Sequence, residues 1–280
     1  MRSLGISLET LSANRPTATT TLVLLPVVIP VAYIFYTSWT VYRNTTSASG
    51  TLPSRDESSA PGTSHPVEPH SLPDEIANDR SRWVVAYEKV VSKPLLPSSL
   101  GYLPEQSSPS DSTTQPSRLL QQVSRAMHKA FSRTPQATII RRAISEPLNK
   151  GSFDPEWIDN LSFKLGDIVN GVYKVSSVTN DEATGSERVE LLIDIPPSYK
   201  GPSVRGLILA AIEPAPSADS DQKGAVERKI VFVNETWMWR PVDEKPTLLE
   251  TSFGRWFHRL LAGWLVLKGI TGAKGERGIC

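Results

Sequence analysis

The chain has 280 residues, with 30 Lys and Arg against 29 Asp and Glu and a net charge of +1. So even a balance leaves no overall field to draw nucleic acid or a strongly anionic surface. The one cysteine is Cys280, the last residue, which excludes an intrachain disulfide framework and a cysteine-cluster metal site; nor does it stand fourth from the end, where prenylation places its cysteine.

Residues 22–42, LVLLPVVIPVAYIFYTSWTVY, carry no charge, and the nearest charges are Arg15 and Arg43. A helix rises about 1.5 Å per residue, so about 20 residues cross a hydrocarbon core of about 30 Å. Tyr33, Tyr36, Trp39 and Tyr42 gather in the C-terminal half, as amphipathic rings do at a lipid–water interface. The stretch predicts an uncleaved single-pass anchor in the bilayer. Three other readings compete. A cleaved signal peptide is opposed by the long polar lead and by an apolar run that continues past Phe35. A mitochondrial presequence is opposed by Glu9 and by the thin supply of Arg, Arg2 and Arg15. A buried core helix would be kinked at Pro26 and Pro30. The two arginines before the span weigh toward a cytosolic N-terminus and a lumenal C-terminal domain in the endomembrane system. Sequons at Asn44, Asn160 and Asn234 agree with a lumenal, glycosylated domain.

The expected organisation is a tail over 1–20, the transmembrane anchor over 21–42, a disordered linker over 43–81, an α+β domain over 82–270 and a flexible tail over 271–280. The linker is rich in Ser, Thr, Pro and Gly and lacks the apolar surface to offset chain entropy. Residues 83–91, WVVAYEKVV, predict a strand, and a Pro- and Ser-rich loop follows. Residues 117–132 predict a helix, with Leu119, Leu120, Val123, Met127 and Phe131 on one face and His128 on the polar one. A shorter helix over 136–144 follows Pro135.

The period then changes. Residues 163–178 read as β structure with turn signals at Gly166-Asp167 and Asn170-Gly171. Val189, Leu191 and Ile193 alternate along a half-buried strand. Residues 204–212 and 229–240 give two more, the last with bulk on both faces and so central. A final helix over 251–268 carries Phe253, Trp256, Phe257, Leu260, Leu261, Trp264 and Leu265 as its apolar face, with Arg255, His258 and Arg259 opposite. It is suited to packing on the sheet or to lying on a membrane surface. The order implies an α+β fold, a curved antiparallel sheet covered by helices.

Motifs for nucleotide binding, nucleophilic serine and zinc hydrolysis are absent: no G-x-G-x-x-G after a strand, no P-loop, no G-x-S-x-G and no H-E-x-x-H. No cofactor is expected. The residues that can carry chemistry are carboxylates on the sheet. Glu235 shares a strand face with Trp237 and Trp239, and Asp194 and Asp167 come from neighbouring strands. If these converge in a cavity lined by Tyr173, Trp237 and Trp239, Glu235 is the proton-transfer group for an isomerisation or cyclisation, its pKa raised among aromatic rings. If Glu235 instead pairs with Arg188, Arg205 or Arg240, the tryptophans are core and the carboxylates structural.

The stretches GDIVNGVYKV, ERVELLIDIP, VFVNETWMWRPVDEKPTLLE and GRWFHRLLAGWLVLKG resemble a group of uncharacterised filamentous-fungal membrane-anchored proteins, some accompanying secondary-metabolite pathways. The resemblance covers 82–270 and brings no catalytic residues. It implies an accessory role in polyketide or terpenoid biosynthesis, with a small hydrophobic metabolite and partner biosynthetic enzymes. The competing class is a non-catalytic membrane-tethered scaffold.

Overall fold

A computed structural model of the chain describes residues 18–52, 67–100, 115–181, 183–216 and 228–275, with side chains described from residue 29. Two compact units result, 1–40 and 41–280. In the first unit the described part is the helix α1 (Ala18–Asn44), whose last turn belongs to the second. Its side chains Ile29, Tyr33, Phe35, Tyr36 and Trp39 are exposed. Among the described residues no helix is long and apolar enough to cross a membrane; Leu22 to Val28, the most apolar part of the expected anchor, lie outside the described side chains, as do the tail over 1–17 and the last five residues.

The second unit is α+β. Seven strands, β1 (Thr45–Leu52), β2 (Trp83–Ser92), β3 (Ile168–Val169), β4 (Tyr173–Asp181), β5 (Ser186–Ile193), β6 (Gly206–Pro214) and β7 (Ile230–Pro241), form one antiparallel sheet in the order β1-β2-β7-β6-β5-β4-β3. The long apolar strand is β7, flanked by β2 and β6 as its two-sided bulk requires. Successive side chains point to opposite faces. Phe232 joins Val90, Val189, Leu191 and Ala210 on one face, while Val231, Val233, Trp237 and Trp239 join Val85, Leu207 and Leu209 on the other.

Helices cover the first face. They are α3 (Arg118–Ser132), capped by Ser117 Oγ accepting from the Leu120 N–H, and α7 (Ser252–Gly275). These two approach closely because α7 turns glycines toward α3: a Cβ at Gly272 would fall 2.4 Å from Ala126 Cβ. The described residues of the unit also form four shorter α-helices, α2 (Asp74–Asn78), α4 (Pro135–Ala143), α5 (Pro147–Gly151) and α6 (Pro155–Asp159). The second face is covered by the segment around α2, which inserts Leu72 and Ile76. The buried Glu190 carboxylate fastens that segment by accepting the His70 and Ser71 N–H groups at 2.9 and 2.7 Å.

Three expectations fail. The stretch 43–81 is not a linker throughout: residues 45–52 are an edge strand and 67–81 a cover; residues 53–66 lie outside the described residues. TTSASGTL needs no apolar side chains to pair, because the open edge of β2 supplies backbone partners from Thr45↔Ser92 to Leu52↔Val85. The tail expected from 271 continues α7 to Gly275. The third concerns α7 itself. Of the apolar face expected to pack on the sheet or to lie on a membrane surface, Leu261 and Leu265 turn inward beside Ala262, Val266, Ile270 and Ala273, while Phe253, Trp256 and Phe257 do not pack on the sheet and are exposed.

Candidate functional site

Between α3, α7 and the sheet lies a pocket of about 70 Å³. Its walls are apolar, including Met127, Phe131, Leu191, Ile208 and Leu265, and a few polar groups converge on it: Ser124, His128, Tyr173, Asn234, Thr236 and His258. Apolar walls with a small number of placed polar groups are the usual composition of a small-molecule site.

The two histidines are held differently. His128, on the inward side of α3, is buried, and its Nδ1 lies 2.7 Å from Asn170 Oδ1. The chain of donors fixes the tautomer. Ser132 Oγ donates to the His128 carbonyl, and Asn170 Nδ2 donates to Ser132 Oγ, so Asn170 presents its oxygen and His128 Nδ1 carries the proton. Nε2 keeps its lone pair. Burial pushes the His128 pKa down to about 4, against the opposing pull of the Asn170 bond, so the ring is neutral at physiological pH. Asn170 reaches it from the turn between β3 and β4, where Asn170 and Gly171 have φ of 47° and 76°. A Cβ at Gly171 would fall 2.6 Å from Ile144 Cδ1, so this Asn-Gly pair is needed both for the turn and for the histidine it orients.

His258, on the inward side of α7, hydrogen-bonds through Nδ1 to Glu88 Oε2. Glu88 is a buried carboxylate on the helix-covered face of β2, opposite Thr236 in register. A carboxylate on Nδ1 holds the ring in the tautomer that leaves Nε2 available as a base, and it stabilises the imidazolium once a proton is taken. Tyr173 packs its ring 6.3 Å from His128 and 6.1 Å from Phe131. Burial, with Tyr199 nearby, pushes its phenol up to about 12, so Tyr173 acts as a neutral hydroxyl. Ser124 Oγ is buried and has no hydrogen-bond partner among the described residues. Such an orphaned group in a pocket wall calls for a ligand or water.

The sequence-predicted carboxylates do not gather here. Glu235, 1% exposed, faces the other side of β7. One oxygen lies 3.2 Å from Lys89 Nζ, the other accepts from Trp237 Nε1 at 3.0 Å, and Lys89 also donates to Glu213. This is the structural alternative in kind, with Lys89 in place of the expected arginines. Trp237 and Trp239 are core, Trp237 stacked on Tyr87 at 5.3 Å. Asp194 is 57% exposed beside Lys174, and Asp167 accepts the Lys164 N–H in a turn. Of the six proposed site residues, the pocket takes Tyr173 alone. Among the sequons, Asn160 is exposed and Asn44 half-buried, whereas Asn234 is 7% exposed in mid-strand and lines the pocket.

Glu88, Ser124, His128, Thr236 and His258 were missed as site residues. Both histidines read as polar-face positions because large apolar neighbours define the opposite stripe, yet α3 and α7 each turn a wider arc inward. The one available signal was the i, i+4 spacing of Ser124 and His128 on a helix whose apolar stripe runs beside them. Among the described residues no group of three or more His, Cys, Asp or Glu could hold a metal ion. Comparison with family models, curated proteins and solved structures gives no match to this chain.

Proposed function

We propose that this is a single-pass membrane protein whose α+β unit binds a small ligand group behind α3 and α7 and moves a proton on it through His258 and Glu88. The observation that carries the reading is the Glu88–His258 pair beside a pocket whose Ser124 hydroxyl lacks a partner. An imidazole backed by a buried carboxylate is suited to general base work, taking a proton at Nε2 and returning it to another carbon or oxygen. Tyr173 and Ser124 can hydrogen-bond a developing oxyanion, and neutral His128 can orient it.

The size of the pocket limits the ligand. About 70 Å³ is well under the roughly 150 Å³ of a cavity that admits benzene. The occupant is therefore a small molecule or the reacting end of a longer one. A hydrophobic intermediate of secondary metabolism, isomerised or cyclised at one end, fits that limit, and the accessory biosynthetic role implied by the sequence resemblance is the context we propose for it. Anchoring is supported by the exposed apolar side chains of α1 and by the charge-free stretch 22–42. The same orientation, with a lumenal unit, would leave Asn160 accessible for glycosylation.

A second reading, a non-catalytic tether for partner enzymes, draws on the exposed Phe253, Trp256 and Phe257. Native mass spectrometry of the full chain, purified in detergent from a host extract, separates the two. The binding reading predicts a retained small molecule that is lost in Ser124→Leu, which fills the pocket. An empty wild type, with Ser124→Leu more stable and no other change, would reduce the pocket to a packing defect and leave the tether.

A further inference from the structure

The outer face of α7 has the wrong residues for water. Its inner face is built of Ala262, Val266, Ile270 and Ala273, and the large aromatics point out: Phe253 is 72% exposed, Trp256 49% and Phe257 42%. Its aliphatic side chains, Leu261 and Leu265 included, already fill the core side, so the helix shows large rings to solvent in addition to its buried face. The rings form one stripe, since 253, 256 and 257 fall at helical spacing, and Phe253 and Trp256 pack with tilted rings 5.8 Å apart. Leu248, also exposed, lies against the start of this stripe at Gly254. Charge on the helix is of one sign: Arg255, Arg259, Lys268 and Lys274, with no Asp or Glu.

The second unit begins against the same helix, past the end of this stripe. Val41 is buried against α7, where a Cβ on Gly263 would fall 2.3 Å from Val41 Cγ1. The next residue, Tyr42, is exposed with the Arg259 guanidinium 5.7 Å from its ring centre. The chain thus enters the unit at the middle of α7, with an aromatic ring and an arginine at the point of entry. Where the preceding helix crosses a bilayer, that point is the headgroup layer.

We propose that the outer face of α7, together with Tyr42, is seated in the headgroup region of an anionic bilayer. Phe253, Trp256 and Phe257 enter the acyl boundary, and Arg255 and Arg259 pair with lipid phosphates. The seat rests on the reading of α1 as an anchor. Its consequence for the site is direct: His258 sits on the same helix, one residue beyond Phe257, so the pocket lies within a helix width of the lipid and a hydrophobic ligand reaches it from the bilayer. A protein partner would account for the rings but not for a helix without a single acidic residue placed at the entry of an apolar segment.

The test uses the full chain in nanodiscs of phosphatidylcholine, with and without phosphatidylserine, in a Cys280→Ser background. Nitroxides are placed one at a time by Phe257→Cys, Ile29→Cys and Ile139→Cys, the last an exposed site on α4, and their collision rates with oxygen and with a water-soluble nickel complex are compared. The seat predicts that position 257 favours oxygen over nickel by several-fold, more so with phosphatidylserine, while 139 favours nickel. Position 29 in lipid with 257 as nickel-accessible as 139 overturns the seat and leaves the anchor standing. Position 29 in water overturns both. Dipolar broadening between labels at 257 identifies a second copy as the occupant and overturns the lipid assignment. Thermal unfolding of each labelled chain confirms that it is folded before the comparison is made.

Discussion

His128 makes stability depend on pH in a way that can be worked out beforehand. The ring is neutral and buried, with its pKa near 4 in the folded chain against 6.5 for an exposed histidine. Below about 6.5 the unfolded chain takes a proton that the folded chain refuses. The contribution is therefore fully present above pH 6.5 and is lost as the pH falls toward 4. At 1.36 kcal/mol per pH unit the whole gap amounts to about 3 kcal/mol, of which roughly 2.5 kcal/mol disappears between pH 7 and pH 4.5. For a unit of this size that is a fall in Tm of about 5–10 °C. The assay is thermal unfolding of the full chain in a non-ionic detergent at the two pH values, for the wild type and for His128→Gln. Glutamine offers Asn170 a donor but does not titrate. Other histidines contribute equally to both chains and cancel in the difference. The variant is expected to lose this 5–10 °C share of the acid sensitivity while being less stable at pH 7. An equal fall in both chains would refute the buried, neutral assignment of His128.

Four further outcomes rest on contacts in the second unit. Lys89→Met leaves the Glu235 carboxylate buried without its cation and should cost about 3 kcal/mol in denaturant unfolding, whereas Glu235→Gln should cost less and leave any pocket ligand in place by native mass spectrometry. Glu250 accepts a two-pronged hydrogen bond from Arg240, at 2.8 and 2.7 Å. Burial would raise its pKa, but the bonds from Arg240 and Thr247 outweigh this and hold it low; Glu250→Gln should therefore lose roughly 1–3 kcal/mol at pH 7, a deficit that shrinks as the pH drops below the ordinary glutamate range. Gly206→Ala would bring a Cβ within 2.5 Å of the Trp237 carbonyl oxygen, and the forced shift of β6 against β7 should cost about 1–3 kcal/mol by the same measurement. Deleting residues 67–81 removes Leu72 and Ile76 from the face holding Trp237; at about 1.5–3 kcal/mol for each side chain, the chain should aggregate or bind a hydrophobic dye.

The sequence was most legible where periodicity and bulk agree. β7 announced itself by apolar residues on both faces, and α3 by its stripe from Leu119 to Phe131, with Ser117 in place as its cap. The edge strand β1 could not be read, because TTSASGTL owes its conformation to the free edge of β2 rather than to its own side chains. The site was hidden for a related reason. Glu235 and the tryptophans do share a face, as the period of two demands, but nothing local says which face the helices cover. Once the 67–81 segment takes the tryptophan side, the pocket falls on the other. There the decisive partners are far apart in the chain: Glu88 meets His258 across 170 positions, and Asn170 meets His128 across 42. On α7 the large rings, normally the mark of a core face, point outward, so helix periodicity placed His258 in solvent when it lines the pocket.

The most direct test of the account is isotope exchange on the bound ligand. The full chain carrying its co-purified molecule is transferred to D2O, and the mass of the ligand is followed over time for the wild type and for His258→Gln. The account predicts that deuterium enters a carbon-bound position in the wild type and survives return to H2O, and that in His258→Gln the ligand stays bound but gains no carbon-bound deuterium. A ligand retained by both chains and exchanging in neither would contradict proton transfer at His258 and Glu88.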